Sequence, residues 1–133
     1  MTIGEMAKQT NLPESTLRYY EKKGLLKVER DGNGRRVYAK GDMEWIQFIH
    51  RLKETGMPLK DIQQYAKLRY LGAKTMPERL EMLQFHREYV LEQQKKWEEY
   101  LQNLEHKIDF YQKAIAETST VSARSLSVKS VTP

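Results

Sequence analysis

Apolar side chains recur at helical spacing in five segments of the 133-residue chain, and start or stop signals bound them. Thr2-Ile3-Gly4-Glu5 is spaced for a capping box, with Thr2 as N-cap and Glu5 reaching back to it. Ile3, Met6 and Ala7 then form the stripe of a two-turn helix, which Asn11-Leu12-Pro13 breaks. Proline is tolerated at a helix start, where its missing N–H would go unpaired anyway. A second helix is therefore expected over about 13–23, turning Leu17 and Tyr20 inward and ending at Gly24. Residues 27–30 and 35–38 flank Asp31-Gly32-Asn33-Gly34, whose Asp-Gly and Asn-Gly pairs accept positive φ, so this stretch reads as a hairpin. So small a ribbon must lean on the helices to be stable. A third helix, from 41 or 42 to 55, places Trp45, Phe48, Ile49 and Leu52 on one face, and Gly56 closes it. Pro58 opens a fourth, with Leu59, Ile62, Tyr65 and Ala66 as its stripe, ending near Gly72.

The fifth segment is the longest. Thr75-Met76-Pro77-Glu78 repeats the capping-box spacing, and no Gly or Pro follows Pro77 until the chain's last residue. Leu80, Leu83, Val90, Trp97, Leu101, Leu104, Ile108, Tyr111 and Ile115 fall on a seam of alternating three- and four-residue steps, interrupted by Arg87 and Gln94. At roughly 1.5 Å per residue a helix over 76–117 would be about 60 Å long. Such a seam needs a partner, and a homodimeric coiled coil is the economical solution, with Arg87 and Gln94 available to set register. Residues 118–133, rich in Ser, Thr and Val without periodicity, read as a disordered tail. The organisation expected is thus a head over 1–70, a linker over 71–75, a dimerisation helix over 76–117, and the tail.

Composition narrows what the head does. There is no cysteine, which excludes disulfides, thiolate metal sites and thiol redox chemistry. The apolar share is 39% against 31% charged, a modest core under a large solvated surface. Residues 1–75 carry 15 basic and nine acidic side chains, whereas 76–117 carry six and nine. The basic surplus sits in the head, as expected if the head meets a polyanion. His50, His86 and His106 lie too far apart for metal-ligand spacing on one helix face. No phosphate loop, nucleophile elbow or zinc-protease pattern occurs, so neither enzyme chemistry nor a cofactor is expected. The opening MTIGEMAKQT is no signal peptide and no stretch is apolar enough to span a membrane, so a cytoplasmic location is expected.

Two short helices joined by a tight turn and followed by a ribbon with a basic second strand make a winged helix-turn-helix: the fold class expected is mainly α, with a two-stranded wing and a long C-terminal helix. With Leu17 and Tyr20 inward, Arg18 and Tyr19 point outward. Arg18 is suited to guanine O6 and N7 or to a phosphate, and Tyr19 to a phosphate through its hydroxyl. Of the two adjacent tyrosines, one should be structural and one should touch DNA. Arg35 and Arg36 on the wing are candidate phosphate contacts.

The strings TLRYYEKKGLL, GNGRRVY and FIHRLKETGMPLKDI, followed by a long terminal helix, resemble the MerR family of bacterial transcriptional regulators. The resemblance implies a homodimer joined by an antiparallel coiled coil. It implies binding to a near-palindromic operator in double-stranded promoter DNA, distorted so that RNA polymerase can align. Matched residue by residue, it puts DNA contacts at Thr16, Arg18, Tyr19, Arg36, Tyr38 and Lys60. Lys60 also fits as a lysine at a helix start, a ready phosphate site. WIQFIHRLKETG and YLGAKTMPERLEMLQFH are similar to the aldehyde- and electrophile-responsive subgroup, whose sensing cysteine matches Arg51 here, so thiol sensing does not carry over. Tyr65, Tyr70, Tyr89 and Tyr100 either line a small-molecule cavity or cover apolar surface with their hydroxyls in water. An alternative reading is a coiled-coil adaptor whose basic head binds protein.

Overall fold

The computed structural model describes residues 1–120 and divides into two units, Met1–Arg87 and a second beginning at Glu88. In the first unit, α1 (Ile3–Thr10) and α2 (Glu14–Lys22) precede a ribbon of β1 (Glu29–Arg30) and β2 (Arg36–Val37). Then come α3 (Asp42–Glu54), α4 (Leu59–Leu71), a 3-10 turn (Ala73–Thr75) and the start of α5 (Met76–Thr120). This is the winged, mainly helical fold expected.

The start of α1 is a complete capping box: Glu5 N–H donates to Thr2 Oγ1 at 3.1 Å and Thr2 N–H to Glu5 Oε1 at 2.9 Å. The hydrogen bonds from Thr2 hold the Glu5 carboxyl below its usual range. Between α1 and α2, Asn11 takes the left-handed conformation at φ 58° and turns the chain. The end of α2 is a Schellman motif: Gly24 N–H donates to Glu21 O and Leu25 N–H to Tyr20 O, with Gly24 at φ 77°. This sharp stop aims the chain into the wing. A Cβ at Gly24 would meet nothing within 4 Å, so the cost of Gly24→Ala is that of the backbone conformation alone. We expect about 1–2 kcal/mol of lost stability; urea unfolding checks it, and an unchanged midpoint would contradict it.

The wing is antiparallel, with Glu29 opposite Val37 and Arg30 opposite Arg36. Asp31 closes its turn, Oδ1 accepting from Asn33 N–H at 2.8 Å and Arg35 N–H at 2.9 Å. Only Gly34 takes positive φ there; Gly32 and Asn33 do not. The wing's base is anchored by a main-chain exchange in which Tyr38 N–H donates to Met1 O and the terminal amine to Tyr38 O.

Helices α1, α2, α3 and α4 enclose the core, built around Met6, Leu17, Tyr20, Ile46, Ile49 and Ile62. Helix α3 contacts both α1 and α4, so its buried face is wider than one stripe: Ile46 is fully buried and Phe48 only half-buried. Trp45 stacks on Tyr65 with centroids 5.8 Å apart, and its Nε1–H donates to Leu25 O. Ile62, Tyr65 and Ala66 are buried as expected, whereas Leu59 at the open start of α4 is exposed.

Three expectations are corrected. Thr75 does not cap α5 as a box: its hydroxyl donates to Leu68 O and Gly72 O and accepts from Arg79 Nε, because a buried hydroxyl takes the carbonyls left open at the end of α4. Leu83 is not wholly a seam residue, since it packs, half-buried, against the core of the first unit. Residues 118–120 are helical rather than tail, Thr118 Oγ1 donating to Ala114 O. The rest of the expected tail lies outside the described residues.

The second unit is α5 from Glu88 on. Its seam is open: Trp97 is 70% exposed and Leu104 56%, with Leu101, Ile108 and Ile115 also exposed and Val90 and Tyr111 half-buried. An apolar face at that spacing, left uncovered, fits a coiled coil. No helix among the described residues is long and apolar enough to cross a membrane.

Candidate nucleic-acid interface

Tyr20 of α2 turns inward as the pattern predicts, whereas Tyr19 is only partly exposed. Tyr20 is fully buried, its hydroxyl 3.4 Å from His50 Nδ1, and burial followed by the negative charge of Glu54 pushes it up to about 12. Tyr19 is half-buried, its ring 4.9 Å from Lys53 Nζ and 5.8 Å from Lys23 Nζ. Lys23 lies one turn from Tyr19, within reach of a helical reading. Lys53 comes from the last turn of α3, and no local pattern announces that it meets α2. Both lysines are cations beside the expected contact that sequence reasoning missed.

Arg18 is exposed, with a 3.6 Å ion pair to Glu14 one turn back. Both partners are about half-exposed, so the pair is screened and readily exchanged for another anion. Thr16 is half-buried in the first turn of α2, its N–H bonded to Pro13 O.

On the wing, Arg35 is exposed, its main-chain N–H serving the turn. Arg36 is half-buried and reaches back to α2, donating from Nε to Glu21 Oε1 at 2.8 Å. Arg30 joins the same carboxylate through Nη2 at 3.1 and 3.2 Å. Glu21 is thus a functional candidate that a search for basic residues passes over. Its spacing from the wing arginines carries no periodic signal.

Tyr38 departs from expectation. It is 1% exposed, and its hydroxyl is enclosed without a hydrogen-bond partner. Val37 beside it faces solvent, and Tyr38, just past the end of β2, turns into the core. Burial raises its pKa; Arg36, acting next, opposes that and Glu21 reinforces it. As the phenol stands it packs the core and presents no surface to a ligand.

Lys60 is exposed in the first turn of α4, where Pro58 offers no side-chain cap. Gln63, three residues on and so on the same face, donates from Nε2 to Lys23 O at the end of α2. Lys60 therefore lies on the α2 side of its helix, beside uncapped N–H groups suited to an anion. Tyr70 is structural: its hydroxyl accepts from Lys27 N–H at 3.0 Å and its ring lies against Lys27 and Arg69. Arg51 borders a cavity of about 580 Å³ shared with Trp45, Phe48, Tyr65, Arg69 and Arg79.

The arrangement is one of donors and cations on α2, the wing and the start of α4, suited to a phosphate backbone and to base edges. The chain matches the family model "MerR HTH family regulatory protein" over residues 1–68 and "MerR, DNA binding" over 43–107. An HTH-type transcriptional regulator of Haemophilus influenzae is 39% identical over 116 residues, 86% of each chain. The regulator AdhR of Bacillus subtilis is 36% identical over 93 residues, 69% of this chain and 66% of that one. Among solved structures, HiNmlR, a MerR family regulator lacking the sensor domain and bound to promoter DNA, superposes with a TM-score of 0.77 at 39% identity, covering 86% of this chain and 92% of that one. A MerR family regulator from Listeria monocytogenes reaches 0.84 at 26% identity, covering 90% and 92%.

Proposed function

The chain belongs to the MerR family of helix-turn-helix regulators, and from that premise we propose that it binds promoter DNA as a homodimer and controls initiation by distorting the duplex. The observation that carries this reading is the exposed Arg18 with the half-buried Tyr19 beside it on α2, next to a wing whose Arg36 is tied to the same helix. In this reading α2 enters the major groove. Arg18 reads a base edge, while Thr16 and Tyr19 bond phosphates. Arg35, Arg36 and Lys60 bind the backbone on either side. Leu80, Val90, Trp97, Leu101, Leu104, Ile108, Tyr111 and Ile115 pack against a second copy in an antiparallel coiled coil. Two heads so joined match a near-palindromic operator, and a distorted operator acts through RNA polymerase. A cytoplasmic regulator without catalytic activity is the role this assigns.

Binding of a mixed-sequence duplex, followed against salt, tests the reading. Each neutralised phosphate contributes about −0.9 to the slope of log K on log salt, so affinity should fall steeply. Salt-insensitive binding, or none, would turn attention to a protein partner for the basic head. Arg36→Ala should weaken all sequences alike and reduce the slope by about one for each head. An unchanged slope would remove Arg36 from the interface.

A further inference from the structure

We infer that Glu21 is a positioning residue for the wing: one carboxylate on α2 grips an arginine from each strand and holds Arg36 ready for a DNA phosphate. The inference rests on the DNA-binding reading above. Arg30 and Arg36 stand opposite each other in the ribbon's register. Arg30 Nη2 donates to both oxygens of Glu21, and Arg36 Nε donates to Oε1 at 2.8 Å. Strands of two residues supply few ladder bonds, so the ribbon takes its attitude from what it leans on. Glu21 supplies that support from the helix that enters the groove.

Burial makes the grip effective. The Glu21 side chain is 21% exposed and that of Arg36 26%, so the pair escapes much of the screening that weakens surface ion pairs. Arg36 is held by Nε, and its two terminal nitrogens have no partner among the described residues. A planar guanidinium fixed along one edge presents the other donors in a set direction. Ordering this long side chain before DNA arrives spares binding that entropic cost.

A carboxylate near DNA also repels phosphate and competes for the arginines. Two arginines share the single carboxylate, however, so the cluster keeps one net positive charge. Positioning and repulsion thus make opposite predictions for Glu21→Ala: binding weakens if positioning dominates and tightens if repulsion does. We expect positioning to dominate.

The test measures binding of the full chain to a labelled mixed-sequence duplex for the parent, Glu21→Ala, Glu21→Gln, Arg36→Ala and the Glu21→Ala/Arg36→Ala pair. Glu21→Ala is expected to bind about tenfold more weakly despite its added positive charge. Glu21→Gln still accepts from Arg36 Nε and should bind at least as well as the parent. In the Arg36→Ala background, Glu21→Ala should cost nothing further, which a general loss of folding would not reproduce. Undiminished binding by Glu21→Ala, equal losses for Ala and Gln, or an undiminished loss without Arg36 would each overturn the inference. If the parent binds with a steep salt dependence and Glu21→Ala matches it, only the role of Glu21 fails. If the parent shows no salt-dependent binding, the proposed function falls and this inference with it.

Discussion

We expect Leu104→Glu to turn the proposed dimer into monomers and to remove tight operator binding. Leu104 lies on the α5 seam and is 56% exposed in the single chain. Covering a leucine contributes about 2 kcal/mol, and enclosing an unpaired carboxylate in its place costs several more. A dimer carries the change twice, so the loss is on the order of 8 kcal/mol, more than five powers of ten in the dissociation constant. The operator effect follows from linkage: separated heads bind half-sites one at a time and lose the gain in effective concentration that joining provides. Sedimentation equilibrium at micromolar protein reads the first effect and operator titration the second. Gln102→Glu is the control, because it adds the same charge two residues away at an exposed position off the seam. A Leu104→Glu protein that remains dimeric would remove this seam from the interface.

Arg18→Ala loses about 1–3 kcal/mol at the operator and relaxes preference at one base pair in each half-site. The side chain is free to make such a contact, since its ion pair with Glu14 is long and about half-exposed on both sides. Base reading and phosphate binding differ in outcome. A reader of guanine loses affinity only for sequences carrying that guanine, whereas a phosphate contact loses it uniformly and lowers the salt slope. Affinities for an operator and its single-base variants, with and without Arg18, separate the two. A uniform loss would reassign Arg18 to the backbone.

How much of this was legible in the sequence depends on how local each interaction is. The Thr2–Glu5 box, the stop at Gly24, the turn after Asp31 and the inward Tyr20 all arise within a few residues of chain, and a single sequence carries them. The capping spacing at Thr75 misled because the carbonyls at the end of α4 took its hydroxyl. Ile46 was missed because α3 packs on two sides, which a single stripe does not describe. The resemblance places Tyr38 at DNA, while the chain just past the two-residue strand turns it inward. Lys53 beside Tyr19, and Glu21 between Arg30 and Arg36, join distant parts of the chain. They follow from tertiary packing, for which one sequence offers no period.

Recognition of promoter DNA by a dimer of this chain is open to direct measurement. Selecting genomic fragments bound by the purified full chain, sequencing them and mapping the shared footprint tests it most directly. We expect one enriched near-palindrome, lying between widely spaced promoter elements and bound with steep salt dependence. Fragments without a common sequence, or a footprint no wider than one half-site, would contradict it.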